Sequence, residues 1–196
     1  MIKRLFDILC ALFGIVVLLP FFLFLSSWIL IEDGAPVLFF QKRVGKNGKD
    51  FWLYKFRTMR KNAEKMGQLT IGDRDPRVTN SGYYLRKYKL DELPQLFNVL
   101  FGTMSLVGPR PEVKKYVLLY TEEQRKVLQV KPGITDLASL EYFKESELLA
   151  ASSDPETTYI KEIMPEKLKL NLEYIHRAGI ITDLGIVIKT IIRIFR

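Results

Sequence analysis

One cysteine and one histidine are all that the 196 residues carry of the side chains that most often build metal centres and nucleophilic triads. Cys10 stands alone in an apolar run, so neither an intramolecular disulfide nor a Cys/His zinc set can form. His176 has no cysteine or serine partner, and no Gly-x-Ser-x-Gly elbow occurs, which removes triad hydrolysis and leaves His176 as a surface or packing residue. Internal repeats, low-complexity tracts and an interdomain linker are missing too, so one folded unit is expected. Helix-turn-helix, zinc-finger and RNP patterns are equally absent. The net charge of +8 therefore points away from nucleic acid and toward anionic lipid or an anionic substrate.

What the chain does have is an uncharged stretch over residues 8–31, long enough to cross a bilayer as a helix, which takes roughly 20 residues. It is too long for a signal peptide and no Ala-x-Ala site follows it. Pro20 sits in its middle, where a proline removes a hydrogen bond and crowds the preceding turn. Positive charge flanks both ends, with Lys3 and Arg4 before and Lys42, Arg43, Lys46 and Lys49 after. One crossing cannot keep both flanks inside, whereas a re-entrant helix broken at Pro20 can. Residues 1–33 are accordingly read as a re-entrant membrane anchor, with a single crossing as the alternative because spanning helices tolerate one proline. At the other end Leu184, Val187, Ile188, Ile191, Ile192 and Phe195 share one helical face while Lys189, Arg193 and Arg196 share another. That pattern suits an amphipathic helix in an anionic interface, and equally a packed terminal helix with a solvated basic face.

The remaining chain, residues 34–196, reads as a helix-rich α+β domain. Residues 37–41 and 51–56 alternate as strands around Gly45-Lys46-Asn47-Gly48, a small β-hairpin. Residues 67–82 lack apolar periodicity and read as a loop, followed by helix over 83–89. Leu93, Leu96, Phe97 and Leu100 then hold the i, i+3, i+4, i+7 spacing of a buried face, which places Asp91 near that helix's N-cap, where the dipole favours an ionised carboxylate. Gly108-Pro109-Arg110-Pro111 fixes a guanidinium between two prolines, a geometry suited to phosphate. Lys131-Pro132-Gly133-Ile134-Thr135 reads as a second rigid turn after a helix ending near Val130, and residues 146–151 and 165–177 as further helices.

Lys3-Arg4-Leu5-Phe6-Asp7, Phe40-Gln41-Lys42-Arg43-Val44-Gly45, Lys55-Phe56-Arg57-Thr58-Met59, Asp75-Pro76-Arg77-Val78-Thr79, Leu90-Asp91-Glu92-Leu93-Pro94-Gln95, Met104-Ser105-Leu106-Val107-Gly108-Pro109-Arg110-Pro111-Glu112 and Pro132-Gly133-Ile134-Thr135 follow one another in the order seen in bacterial sugar transferases. The chain resembles a small monotopic phosphoglycosyl transferase of that superfamily over residues 3 to about 135. The resemblance implies transfer of a sugar-1-phosphate from a UDP-sugar to undecaprenyl phosphate with release of UMP, a need for Mg²⁺, and a place at the cytoplasmic face of the bacterial inner membrane among its lipids. It puts the catalytic, metal-holding dyad on Asp91 and Glu92, with Asp91 as the nucleophile that carries the phosphosugar. Lys55, Arg57, Arg86 and Arg110 are the cations expected around the phosphates.

Two positions depart from the family pattern: Asp136 stands where Gly commonly follows the Pro-Gly-Ile-Thr run, and Asn171 where Asp is frequent. A membrane-anchored basic binding or scaffold protein without catalysis is the reading from another class, and UMP formation separates the two. Spacing assigns neither the sugar, the glycan pathway nor an oligomeric state.

Overall fold

A computed structural model describes residues 2–63 and 75–195. Its longest element is helix α1, Ile2–Asp33, which continues through Pro20. The expected break is therefore corrected: the proline does not divide the segment into two helices. It forfeits one hydrogen bond, and packing holds the helix on either side of it. Gly14 lies against Leu96, and Phe22 meets Phe56 at 5.6 Å and Phe97 at 6.0 Å between ring centroids.

The hairpin forms as β1, Leu38–Val44, antiparallel to β2, Asp50–Phe56. Asn47 and Gly48 take positive φ in its turn, as the Asn-Gly pair foretells. Helix α2, Asn80–Lys87, starts a few residues earlier than periodicity suggested because Thr79 caps it. The expected loop lies largely at 64–74, outside the described residues. Helix α3, Gln95–Phe101, leads to strand β3, Ser105–Val107. The Pro-Gly-Ile-Thr run is not a turn but strand β4, Gly133–Thr135, parallel to β3. The cause is a very close approach of backbones. A Cβ on Gly133 would sit 2.1 Å from the Gly108 nitrogen, and one on Gly108 would sit 2.5 Å from the Lys131 carbonyl, so only glycine fits at either place.

Short helices α4, Lys114–Val117, and α5, Glu122–Arg125, precede β4. After it come α6, Leu137–Glu141, α7, Glu145–Ala150, α8, Pro155–Thr158, α9, Met164–Arg177, and α10, Ile180–Ile194. One core unites Val113, Tyr116 and Val117 with Tyr159, Ile163 and Leu168. A second joins Leu25 and Ile29 of α1 to Phe56 and Leu85, with Leu90 and Leu93 packed on it. His176 is exposed in the last turn of α9 and Cys10 is a free thiol.

Both ends of α1 are fastened to the same domain. Near its start, Lys3 pairs with Asp183, Arg4 donates to the Val99 and Leu100 carbonyls, and Asp7 accepts from Ser105 Oγ at 2.9 Å and the Leu106 amide at 3.1 Å. Near its end, Glu32 accepts from the Asn80 and Ser81 amides at 2.8 and 2.7 Å. Between these ties an apolar face stays exposed, Leu9, Phe13, Val16 and Phe24 among it. On α10, Ile181, Leu184, Ile188, Ile191 and Ile192 are likewise exposed while Asp183 and Ile186 are buried. The amphipathic pattern thus leaves its outer apolar stripe uncovered in the chain.

Candidate active site

Phe56, Leu85 and α1 grip Leu90 and Leu93, and this contact sets the acid pair. Lys89 enters a left-handed conformation at φ 54, after which Leu90–Glu92 make a single 3-10 turn. Asp91 is therefore not an N-cap: α3 begins only at Gln95, beyond Leu93 and Pro94. The helix-dipole argument for an ionised Asp91 therefore does not apply, and its charge state is set by burial and by the groups around it. α3 is stitched to β2 by Asn98, whose side chain accepts from the Tyr54 amide at 3.0 Å and donates to the Trp52 carbonyl at 2.7 Å. This clamp holds the strand carrying Lys55 against the acid turn.

Lys55 Nζ stands 2.9 Å from Glu92 Oε1 and 3.7 Å from Asp91 Oδ2. Arg110 embraces Glu92 with both terminal nitrogens, Nη2 to Oε1 at 2.5 Å and Nη1 to Oε2 at 3.2 Å. Both Glu92 oxygens are thereby occupied. Asp91, also buried, accepts no hydrogen bond among the described residues. The two acids consequently titrate apart. Burial pushes Glu92 upward, yet Arg110 and Lys55 outweigh it and hold the group well below the usual carboxylate range. Burial raises Asp91, Lys55 opposes this and Glu92 reinforces it, leaving the carboxyl above its ordinary value. Splitting a carboxylate pair in this way gives its members separate roles. Burial lowers Lys55, with both acids partly restoring it.

These groups line one cleft of about 1170 Å³, which also takes in Arg57, Arg86, Lys89, Phe143 and Ile194. Arg86, on α2, is close enough for its charge to lower Asp91. Arg57 is the predicted cation that is not brought to the dyad. Its Nη2 donates to the Gly34 and Asp33 carbonyls at 2.6 and 3.0 Å and lies 3.0 Å from the Asp33 carboxylate, capping the end of α1. Glu92, expected to hold metal or the attacking group, pairs here with Lys55 and Arg110.

Asp136 is the residue whose role sequence reasoning missed. Fully buried, it caps α6 through the Ser139 amide and accepts the Arg110 backbone N–H at 2.8 Å. The Pro-Arg-Pro turn is thus anchored from behind, with the Gly133 amide donating to the Pro109 carbonyl at 3.1 Å. Glu112 completes the anchorage: it accepts from Arg43 at 2.8 Å, from the Val113 amide at 2.8 Å and from the Tyr159 hydroxyl. Tyr159 opens a π-helical turn over Tyr159–Ile163. Asn171 is buried with its Oδ1 unpaired among the described residues.

No group of three or more His, Cys, Asp or Glu side chains converges among the described residues. A cation at this dyad would lean on substrate oxygens, which is how Mg²⁺ is commonly held, by one or two carboxylates plus phosphates. The Asp91 carboxyl, which takes no hydrogen bond among the described residues and meets Lys55 only at 3.7 Å, fits that demand.

The family model described as "Bacterial sugar transferase" matches residues 1–196. "Uncharacterized sugar transferase EpsL" of Bacillus subtilis is 45% identical over 139 residues, 71% of this chain and 68% of that protein. "Exopolysaccharide production protein ExoY" of Sinorhizobium fredii is 33% identical over 204 residues, 96% of this chain and 83% of its own length. "UDP-N-acetylgalactosamine-undecaprenyl-phosphate N-acetylgalactosaminephosphotransferase" of Aeromonas hydrophila is 39% identical over 193 residues, 97% of this chain but 43% of that protein. The chain spans 62% of another Bacillus subtilis relative, which is 50% identical over 111 residues. The chain belongs to the bacterial sugar transferase family.

Proposed function

We propose that this family member transfers a sugar-1-phosphate from a UDP-sugar to undecaprenyl phosphate at the cytoplasmic face of the bacterial inner membrane. The observation that carries this reading is the asymmetry of the dyad, in which Glu92 is saturated by Lys55 and Arg110 while Asp91 lines the cleft with no hydrogen bond and only a 3.7 Å ion pair to Lys55 among the described residues. An Asp91 oxygen attacks the phosphorus bonded to the sugar, the bond from that phosphorus to the bridging oxygen breaks, and UMP leaves with the electron pair. A phosphate oxygen of the acceptor then attacks the same phosphorus. The aspartyl–phosphorus bond breaks, the Asp91 carboxylate is restored, and the product is a polyprenyl diphosphate sugar.

Arg110 and Lys55, bound to Glu92 in the resting site, stand ready to bind the charge that develops on the phosphoryl oxygens, and their fixed placement spares reorganisation during reaction. Arg86 adds positive charge beside Asp91. Mg²⁺ held by Asp91 and the diphosphate oxygens, with Glu92 beside it, would supply further charge neutralisation.

For the anchor, the reading is re-entry. A 32-residue helix is roughly 48 Å long at 1.5 Å per residue, more than the ~30 Å apolar core of a bilayer. Its two ends are tied to the same domain, which supports both ends lying on one side, with residues 1–33 as anchor and 34–196 as the catalytic domain. The exposed stripe of α10 would rest in the same interface.

Two experiments test these readings. Incubation with undecaprenyl phosphate and a panel of UDP-sugars should release UMP for at least one sugar; none released with any sugar would leave the non-catalytic scaffold. In a Cys10→Ser background, Lys3→Cys and Lys46→Cys should both be labelled from the cytoplasmic side of sealed vesicles. Labelling of Lys3→Cys only from the other side would establish a crossing.

A further inference from the structure

Away from the cleft, two cations from separate elements converge on one glycine, and a third stands on the hairpin tip nearby. Gly102 ends α3 at φ +88, and a Cβ built there would lie 3.1 Å from Arg4 Nη2 and 3.5 Å from Lys131 Nζ. Arg4 comes from the start of α1 and donates to the Val99 and Leu100 carbonyls at the end of α3. Lys131 enters from the segment before β4. Lys46 stands at the hairpin tip, which packs against the Lys126–Gln129 turn leading to Lys131. No carboxylate lies within ion-pair distance of any of the three among the described residues. Asp7 is an acid whose charge Lys131 feels, and its oxygens already serve Ser105 and Leu106. Burial, then the charges of Arg4 and Lys46, hold the Lys131 ammonium below the ordinary lysine value. Crowded like charges without an acid partner are costly unless an anion joins them.

The surroundings say what kind of anion. Phe101, adjacent to Gly102, is 65% exposed, and Leu5 and Leu9, next to Arg4 on α1, are 58% and 57% exposed. A free phosphate has no use for apolar rims, whereas a phospholipid has acyl chains to lay on them. We propose that Arg4, Lys131 and Lys46 form a seat for the phosphodiester of an anionic membrane phospholipid, with its chains running over Phe101 and the outer face of α1. The seat lies on the element that anchors the chain and stands independently of the transferase reading.

The test uses the full chain in detergent and dihexanoyl phosphatidylglycerol below its micelle concentration. Binding should saturate, with dihexanoyl phosphatidylcholine and inorganic phosphate each binding more weakly. Lys131→Gln should weaken it about fivefold or more, the effect of one well-placed lysine at an anionic headgroup. Lys131→Arg should restore it, and Lys189→Gln, on the basic face of α10, should change it less than twofold. Thermal melting of Lys131→Gln should not fall, since it removes crowding among cations. Equal loss in Lys131→Gln and Lys189→Gln would mean diffuse surface charge, and inorganic phosphate binding as tightly as the lipid would mean a simple anion site; either result overturns the proposal.

Discussion

Two carboxylates, half-buried Glu112 at the end of the Pro-Arg-Pro turn and buried Asp91 of the dyad, are treated differently. Glu112 is closed in: Arg43, the Val113 amide and the Tyr159 hydroxyl take its oxygens, and a hydrophobic core of Val113, Tyr116 and Leu168 lies around them. In the dyad only Glu92 is closed in this way, and its neighbour Asp91 is buried without a hydrogen bond among the described residues. A carboxylate saturated by its own protein contributes to structure, whereas one that takes no hydrogen bond from it and lines a cleft beside cations is open to chemistry or a ligand. The distinction separates positions whose loss unfolds the turn from positions whose loss silences it.

The sharpest way to break the comparison is Asp91→Asn. Turnover should drop by three or more powers of ten, each tenfold being about 1.4 kcal/mol of barrier. The melting temperature should hold or rise, because burial disfavours the charge that the substitution removes. A variant that loses activity and stability together would place Asp91 with Glu112. Arg110→Lys comes next. An ammonium cannot reproduce the two-pronged grip, and kcat/KM should fall by about a hundredfold, as steady-state kinetics would show.

Glu112→Gln reverses the pattern, with a stability loss of about 1–2 kcal/mol at neutral pH from leaving half-buried Arg43 without its counter-charge. Its pH dependence has a definite sign. Burial raises Glu112, but Arg43 and the Tyr159 hydrogen bond outweigh it and hold the carboxyl below its ordinary value. The contribution is therefore fully present above the unfolded carboxyl's pKa, near 4.5, and is lost as pH falls through the lower folded one. Denaturant melts of wild type and variant should converge on acidification. Asp136→Asn should have the smallest effect, roughly tenfold in kcat/KM, by weakening the bond that aims the Arg110 backbone; an unchanged rate would remove Asp136 from the positioning of that turn.

The long apolar helix and the hairpin could be read from the chain because each is written in local pattern: an uncharged run, and alternation around Asn-Gly. The β3–β4 pairing could not, since it depends on Gly108 meeting Gly133 across the fold, and glycines beside prolines signal turns just as well. Arg57 differs for a related reason. It lies two residues from Lys55, just past the end of β2, and lines the same cleft, but its Nη2 is held by the end of α1. Asp136 carried a signal that went unused, an acid three residues before Ser139 at a helix start. Asn98, a polar residue on a buried helical face, carried another.

The central claim is that Asp91 becomes covalently bonded to the phosphosugar, and the direct test is intact-mass analysis after mixing protein, a UDP-sugar that supports turnover and Mg²⁺ without acceptor. The account predicts one equivalent of UMP per site and a protein heavier by a single phosphosugar, both abolished in Asp91→Asn. UMP appearing only once undecaprenyl phosphate is added, with no mass gain at any time, would contradict it and leave direct transfer between the two bound substrates.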